Sequence, residues 1–184
     1  DQVDIKETKS FKEVVQKVID YDKKNNKKFI IGRGWDQNDW DIKSFPTNKL
    51  LNEAFPNKAV VLRRIDGHAY IVNDYALNLA GINGSSYIDG GEFIKSNGKL
   101  TGVLIDNAMR FIDNVIPEPT EDEAIKALLS AQDMAFENGL TTVSEAGISR
   151  QQIELIDSLQ KSGILKIKIY AMIENGPDVD YYIS

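Results

Sequence analysis

The sequence predicts an α/β fold: an incomplete (β/α)8 TIM-barrel segment with parallel strands and an inserted β-hairpin. Two observations carry this class. Short β-branched runs alternate with stretches of helical apolar spacing along the chain, and such alternation is built from parallel strands joined by right-handed crossovers. Asn97-Gly98, set between two short alternating runs, is in addition a strong local hairpin signal. The alternation alone leaves a doubly wound sheet and a piece of a (β/α)8 barrel as alternatives. A complete barrel takes about 250 residues, so four main strands in a chain of 184 residues do not close one.

Ser10 with Glu13 reads as a capping box, and Val14, Val15, Val18 and Ile19 follow at helical spacing up to the polar run "DKKNNKK". "KFIIGRGWD" is a strand ended by Gly32 and Gly34, followed by an aromatic and polar loop, "QNDWDIKSFPTNKLLNEAFP". "KAVVLRRIDGH" supplies a second strand, and Asn73 caps a short helix, Asp74 to Ala80, closed by Gly81. The hairpin insertion occupies about residues 90–106. Thr120 with Glu123 makes another capping box, and Ile125, Leu128, Leu129, Ala131 and Phe136 give its helix a buried face before Asn138-Gly139. "LTTVSEAG" is a third strand, Ser149 with Gln152 caps a helix stopped by Gly163, and "LKIKIYAMI" is a fourth. No repeat or low-complexity tract interrupts this order, so residues 1–184 read as one partial barrel domain.

The composition excludes several classes. With 42% hydrophobic and 27% charged residues, the chain is that of a folded globular domain. Its net charge of -6 and dispersed basic residues leave no phosphate-tracking surface, so no nucleic-acid partner is expected. No apolar run approaches the roughly 20 residues that span a bilayer, so no membrane partner is expected either. The absence of cysteine removes disulfides and thiolate ligands but leaves the compartment open. The chain does not begin with methionine and "PDVDYYIS" ends it without a cap, which predicts a segment of a longer protein. A truncated barrel exposes strand edges, so self-association into homo-oligomers is expected.

In parallel α/β architectures the reactive groups collect at the carboxyl ends of strands. Here Arg33, Trp35 and Asp36 follow the first strand, Arg63, Arg64, Asp66 and His68 the second, and Ser144 and Glu145 the third. His68, the only histidine, suits a general base, an electrophile or a ligand, and Asp66 is close enough in sequence to orient it. The catalytic candidates are therefore His68 and Asp66. Arg63, Trp35, Asp36 and Glu145 are candidates for substrate binding, although Trp35 equally suits packing and Glu145 a helix N-terminal hydrogen bond. Gly32-Arg33-Gly34 lacks the further glycine of a dinucleotide fingerprint. No His-x-His or HExxH occurs, so no metal residue is assigned.

"GRGWDQNDW", "LRRIDGHAYIVNDYALNLAGI", "GGEFIKSNGKLTGVLIDNA" and "ENGLTTVSEAG", in this order, resemble the amidohydrolase 3 family, the YtcJ-like metal-dependent hydrolases, over about residues 3–175. The resemblance implies a distorted TIM-barrel hydrolase with a divalent metal, zinc, at the barrel mouth, acting on carbon–nitrogen, non-peptide bonds of small amide-type substrates. The family's His-x-His and its later lysine or glutamate, histidine and aspartate ligands have no counterparts here. His68 matches the family's "DGH" histidine, which lies near the site without ligating the metal. The chain is accordingly expected to hold no cofactor and to be inactive alone, with His68, aided by Arg63, donating from a neutral imidazole to the scissile carbonyl. The alternative is a non-catalytic, amidohydrolase-like binding or regulatory module.

Overall fold

The computed structural model describes residues 2–176 and 178–183, which fall into two compact units, Asp1–Pro117 and Glu118–Ser184. In the first unit, β1 (Val3–Asp4), β2 (Phe29–Trp35) and β3 (Ala59–Arg64) run parallel. The sheet then turns antiparallel through β4 (Ala69–Val72), and the hairpin of β5 (Gly91–Ser96) and β6 (Lys99–Asp106) completes the order β1-β2-β3-β4-β6-β5. The fold is thus mixed α/β, with a parallel half and an antiparallel half in one sheet.

Alternation along the central strands explains the unbroken apolar run "AVVL". Val60 and Leu62 of β3 and Ala69 and Ile71 of β4 join one core, with Val14 and Val18 of helix α1 (Phe11–Asn25). Ala59, Val61, Tyr70 and Val72 enter a second core, with Ala76 and Leu77 of α3 (Asp74–Leu79) and Ile112 of α4 (Arg110–Asp113). A strand covered on both faces has no solvent side on which to place polar residues. Ala76 N–H donates to the Asn73 side chain at 3.1 Å, and Glu13 N–H to the Ser10 hydroxyl at 3.2 Å, but the Glu13 carboxylate accepts from Lys9 N–H at 2.7 Å, so at Ser10 the N-cap bond forms without the reciprocal half of the expected box.

Three expectations are corrected. The stretch after Trp35 is not all loop, because α2 (Lys49–Ala54) forms within it and buries Leu51. Its N-cap, Asn48, makes no side-chain bond to a helix amide: its Nδ2 donates to Val72 O and Asp74 Oδ1, and its Oδ1 accepts from Asn52 Nδ2. "AYIV" is a strand, so "RRIDGH" leads into an antiparallel hairpin before the helix begins. Finally, the Asn97-Gly98 hairpin extends the main sheet through the β4–β6 pairing. Asn97 at φ 50° and Gly98 at φ 75° have the positive angles that a two-residue turn of this kind requires.

The second unit contains α5 (Glu121–Glu137), β7 (Thr142–Ile148), α6 (Arg150–Lys161), β8 (Lys168–Ile173) and α7 (Val179–Ile183). β7 and β8 pair in parallel. The capping boxes of this unit are reciprocal, at Thr120/Glu123 and Ser149/Gln152. Leu159, Leu165 and Ile167 form its buried core, with Ile125, Leu128 and Leu129 half-buried against it. Contrary to expectation, Ala131 and Phe136 are exposed. The buried residue of α5 is Gln132, whose carbonyl accepts from the Lys166 and Ile167 amides.

Candidate functional site

The hairpin turn between β3 and β4 is the centre of the candidate site. Arg64 grips Asp66 with two parallel bonds, Nε to Oδ1 at 2.9 Å and Nη2 to Oδ2 at 2.6 Å. Asp66 Oδ1 also accepts the backbone N–H of His68 at 3.0 Å. The Arg64 bond, helped by the His68 amide, holds the Asp66 carboxyl below the usual aspartate range. Asp66 therefore shapes the turn and does not touch the imidazole, which corrects the orienting role expected for it.

The partner of the ring is Asp106, at the end of β6: His68 Nδ1 and Asp106 Oδ1 are 2.8 Å apart. Sequence reasoning missed this residue, which lies 38 positions away. The signal is topological, because the Ala69↔Ile105 register places His68 and Asp106 side by side. The contact also revises the chemistry. A carboxylate only accepts hydrogen bonds, so in a neutral imidazole the proton sits on Nδ1 and Nε2 carries a lone pair. Nε2 can then accept a proton, and it donates only once the ring is imidazolium.

The remaining candidates divide. Trp35 has no exposed surface, its indole donates to Leu62 O at 2.8 Å, and it stacks on Trp40, so it is packing. Arg63 turns back on its own hairpin, with Nε and Nη2 both 3.2 Å from Gly67 O and the guanidinium over the Tyr70 ring. Asp36 caps a short 3-10 turn through the Asn38 amide. Glu145 is exposed on β7, in the second unit. Arg33 is exposed and lines a cavity of about 240 Å³ with Asp4, Lys6 and Ile65. Behind the hairpin, the buried Tyr70 hydroxyl donates to Asp113 Oδ1 at 2.8 Å. Burial, then that bond, push its pKa up to about 12.

Among the described residues no three His, Cys, Asp or Glu side chains come together as a metal-holding group. With one imidazole and no thiolate in the chain, the described residues do not fit a transition-metal centre.

The chain is thus a mixed α/β protein with a parallel-rich sheet, and Arg64, Asp66 and His68 gather at one hairpin turn. Comparison with known proteins gives the particular family: the amidohydrolase family model matches residues 2–179, and the chain belongs to that family. It is 36% identical over 115 residues to the putative amidohydrolase YtcJ of Bacillus subtilis, covering 61% of this chain and 22% of that protein. It is 34% identical over 121 residues to the protein LONG AFTER FAR-RED 3 of Arabidopsis thaliana, covering 65% and 21%. Among solved structures, an uncharacterized metal-dependent hydrolase from Pyrococcus horikoshii superposes with a TM-score of 0.65 at 25% identity, over 94% of this chain and 32% of that one. Another, from Pyrococcus furiosus, gives 0.62 at 24%, over 94% and 34%, a likeness of fold alone. The chain thus spans about a fifth of the length of these named relatives. No helix among its described residues is long and apolar enough to cross a membrane.

Proposed function

We propose that this chain is part of a metal-dependent amidohydrolase that hydrolyses a carbon–nitrogen, non-peptide bond of a small amide-type substrate. In this reading both units are segments of one (β/α)8 barrel, and the metal, zinc, is held by residues outside these 184. The observation that carries it is the family match over residues 2–179. The metal-dependent hydrolase from Pyrococcus horikoshii, superposed on nearly the whole chain, adds support.

The chain's own contribution is a wall of the site. His68, 71% exposed, handles a proton at Nε2, and Arg33 offers a cation to the substrate carbonyl or to a carboxylate beyond it. Arg64 and Asp66 hold the turn that carries His68. Glu145, on the second unit, is the remaining candidate for substrate contact, and Arg63 acts by fixing the hairpin.

The test is hydrolysis of N-formyl and N-acyl amines by the metal-replete longer protein, with peptides as the control. Turnover of the former that His68→Ala weakens while metal content holds supports the proposal. No turnover with metal bound refutes it. The alternative is a non-catalytic amidohydrolase-like binding or regulatory module. A His-x-His upstream of Val3 separates the two: its presence supports the enzyme, its absence the module.

A further inference from the structure

We infer that Asp106 is a positioning residue for His68, kept in a strained backbone conformation so that its carboxylate fixes which imidazole nitrogen carries the proton. Its place in catalysis rests on the hydrolase reading above; the geometry and its test do not. Asp106 has φ 47° and ψ -119°, a region that suits glycine and that a residue with a Cβ rarely adopts. Such strain persists only where neighbouring contacts over-determine it, and it clusters where it serves a site.

Those contacts are present. Asp106 N–H donates to His68 O at 3.1 Å, so the two residues are joined through backbone and side chain alike. Immediately beyond it, Asn107 N–H donates to Gly90 O at 3.2 Å and its side-chain amide to Asp89 O at 2.7 Å. Gly90 and Gly91 permit this approach: a Cβ at Gly90 would lie 2.6 Å from Asn107 Nδ2, and one at Gly91 would collide with Ala108 N. The turn is therefore built around residue 106. Glycine there would suit the backbone better, whereas the carboxylate supplies the acceptor that holds the ring.

An exposed ion pair contributes little to stability, so the pair alone does not offset the strain. Its chemical effect is larger. With Nδ1–H directed at Asp106, Nε2 has no partner among the described residues and is open to solvent on an exposed ring. An approaching O–H or N–H can pass its proton to the Nε2 lone pair, leaving its bonding electrons behind. The imidazolium so formed keeps its Nδ1–H on Asp106.

The chain has one histidine, so nitrogen-15 NMR of the neutral imidazole reports on His68 alone. The Nδ1–H tautomer should predominate, and Asp106→Gly should return the ring to the Nε2–H form that free histidine prefers. Urea unfolding supplies an independent arm. Asp106→Gly should unfold at a higher midpoint than Asp106→Ala, because both lose the carboxylate and only glycine relaxes the backbone. At an ordinary extended position the order reverses, since glycine leaves the unfolded chain more entropy to lose. A native ring that is mostly Nε2–H, a tautomer unmoved by Asp106→Gly, or an alanine variant more stable than the glycine variant would each overturn the inference. Failure to hydrolyse amides bears on the hydrolase reading alone, because neither measurement involves turnover.

Discussion

Asn73 gives the sharpest test of how this chain holds its site together. Its side chain is completely buried and uses its full hydrogen-bonding capacity. Nδ2 donates to Phe55 O at 2.8 Å and Lys58 O at 2.7 Å, and Oδ1 accepts from Val60 N and Ala76 N, both at 3.1 Å. One amide thus ties the end of α2, the start of β3 and the N-terminus of α3 together, behind the hairpin that carries His68. Asn73→Ala strands two carbonyls and two amides in the core. At about 1 kcal/mol for each lost bond, with more for groups left unsatisfied, the cost is about 4 kcal/mol. That is a large part of the roughly 5–15 kcal/mol by which domains are stable. Trp35 and Trp40 are the only tryptophans and both lie in the first unit, so their fluorescence follows that unit through urea unfolding. For a slope of about 2 kcal/mol per molar urea, the midpoint should fall by about 2 M. Asn78→Ala, at an exposed position of the same helix, should move it by less than about 0.3 M, equivalent to the roughly 0.5 kcal/mol of a surface change. Equal shifts in the two variants would refute the reasoning.

Other outcomes follow from the same geometry. Tyr70, neutral in the fold up to about 12, contributes stability that is complete below pH 10 and lost as pH rises from 10 to 12, because the unfolded chain releases the phenolic proton first. The two pH units correspond to about 2.7 kcal/mol at most, and solvent screening reduces this to about 1–2 kcal/mol. Urea midpoints of Tyr70→Phe should accordingly lack that alkaline fall. The lowered pKa of Asp66 acts at the other end: its contribution is present above pH 3.8 and disappears as pH falls through the lower folded value. The stability difference between the wild type and Asp66→Asn, followed by circular dichroism, should be constant near neutrality and shrink below pH 4. Dialysis and elemental analysis of the chain should find zinc weakly held or absent, and a tightly held stoichiometric zinc would defeat the assignment of the metal to residues outside it.

Local signals in this sequence translated into structure wherever the deciding contact was local. Ser10, Thr120 and Ser149 each bond an amide three residues on, and their helices start where the capping pattern places them. Asn97-Gly98 needs only its own two positive φ angles. α2 was hidden because it is only six residues long and buries a single side chain, Leu51, which leaves no apolar periodicity to read. β4 was hidden for another reason: four apolar residues buried on both faces show no alternation, and they read as the approach to the helix that Asn73 caps.

The site divides along the same line, and the division explains what was misassigned. Asp66 stands two residues from His68, and proximity in sequence made it the natural partner of the ring. In a tight turn that proximity brings a side chain to the backbone instead: Asp66 binds the His68 amide and is held by Arg64. The His68 side chain, at the end of the turn, instead finds its partner on the next strand of the sheet. For His68 that strand is β6, because β4 pairs with it at Ala69↔Ile105. The antiparallel half of the sheet therefore does more than cover the core. It brings a carboxylate to a histidine that the parallel half alone, with a helix following β3 directly, would have left without one.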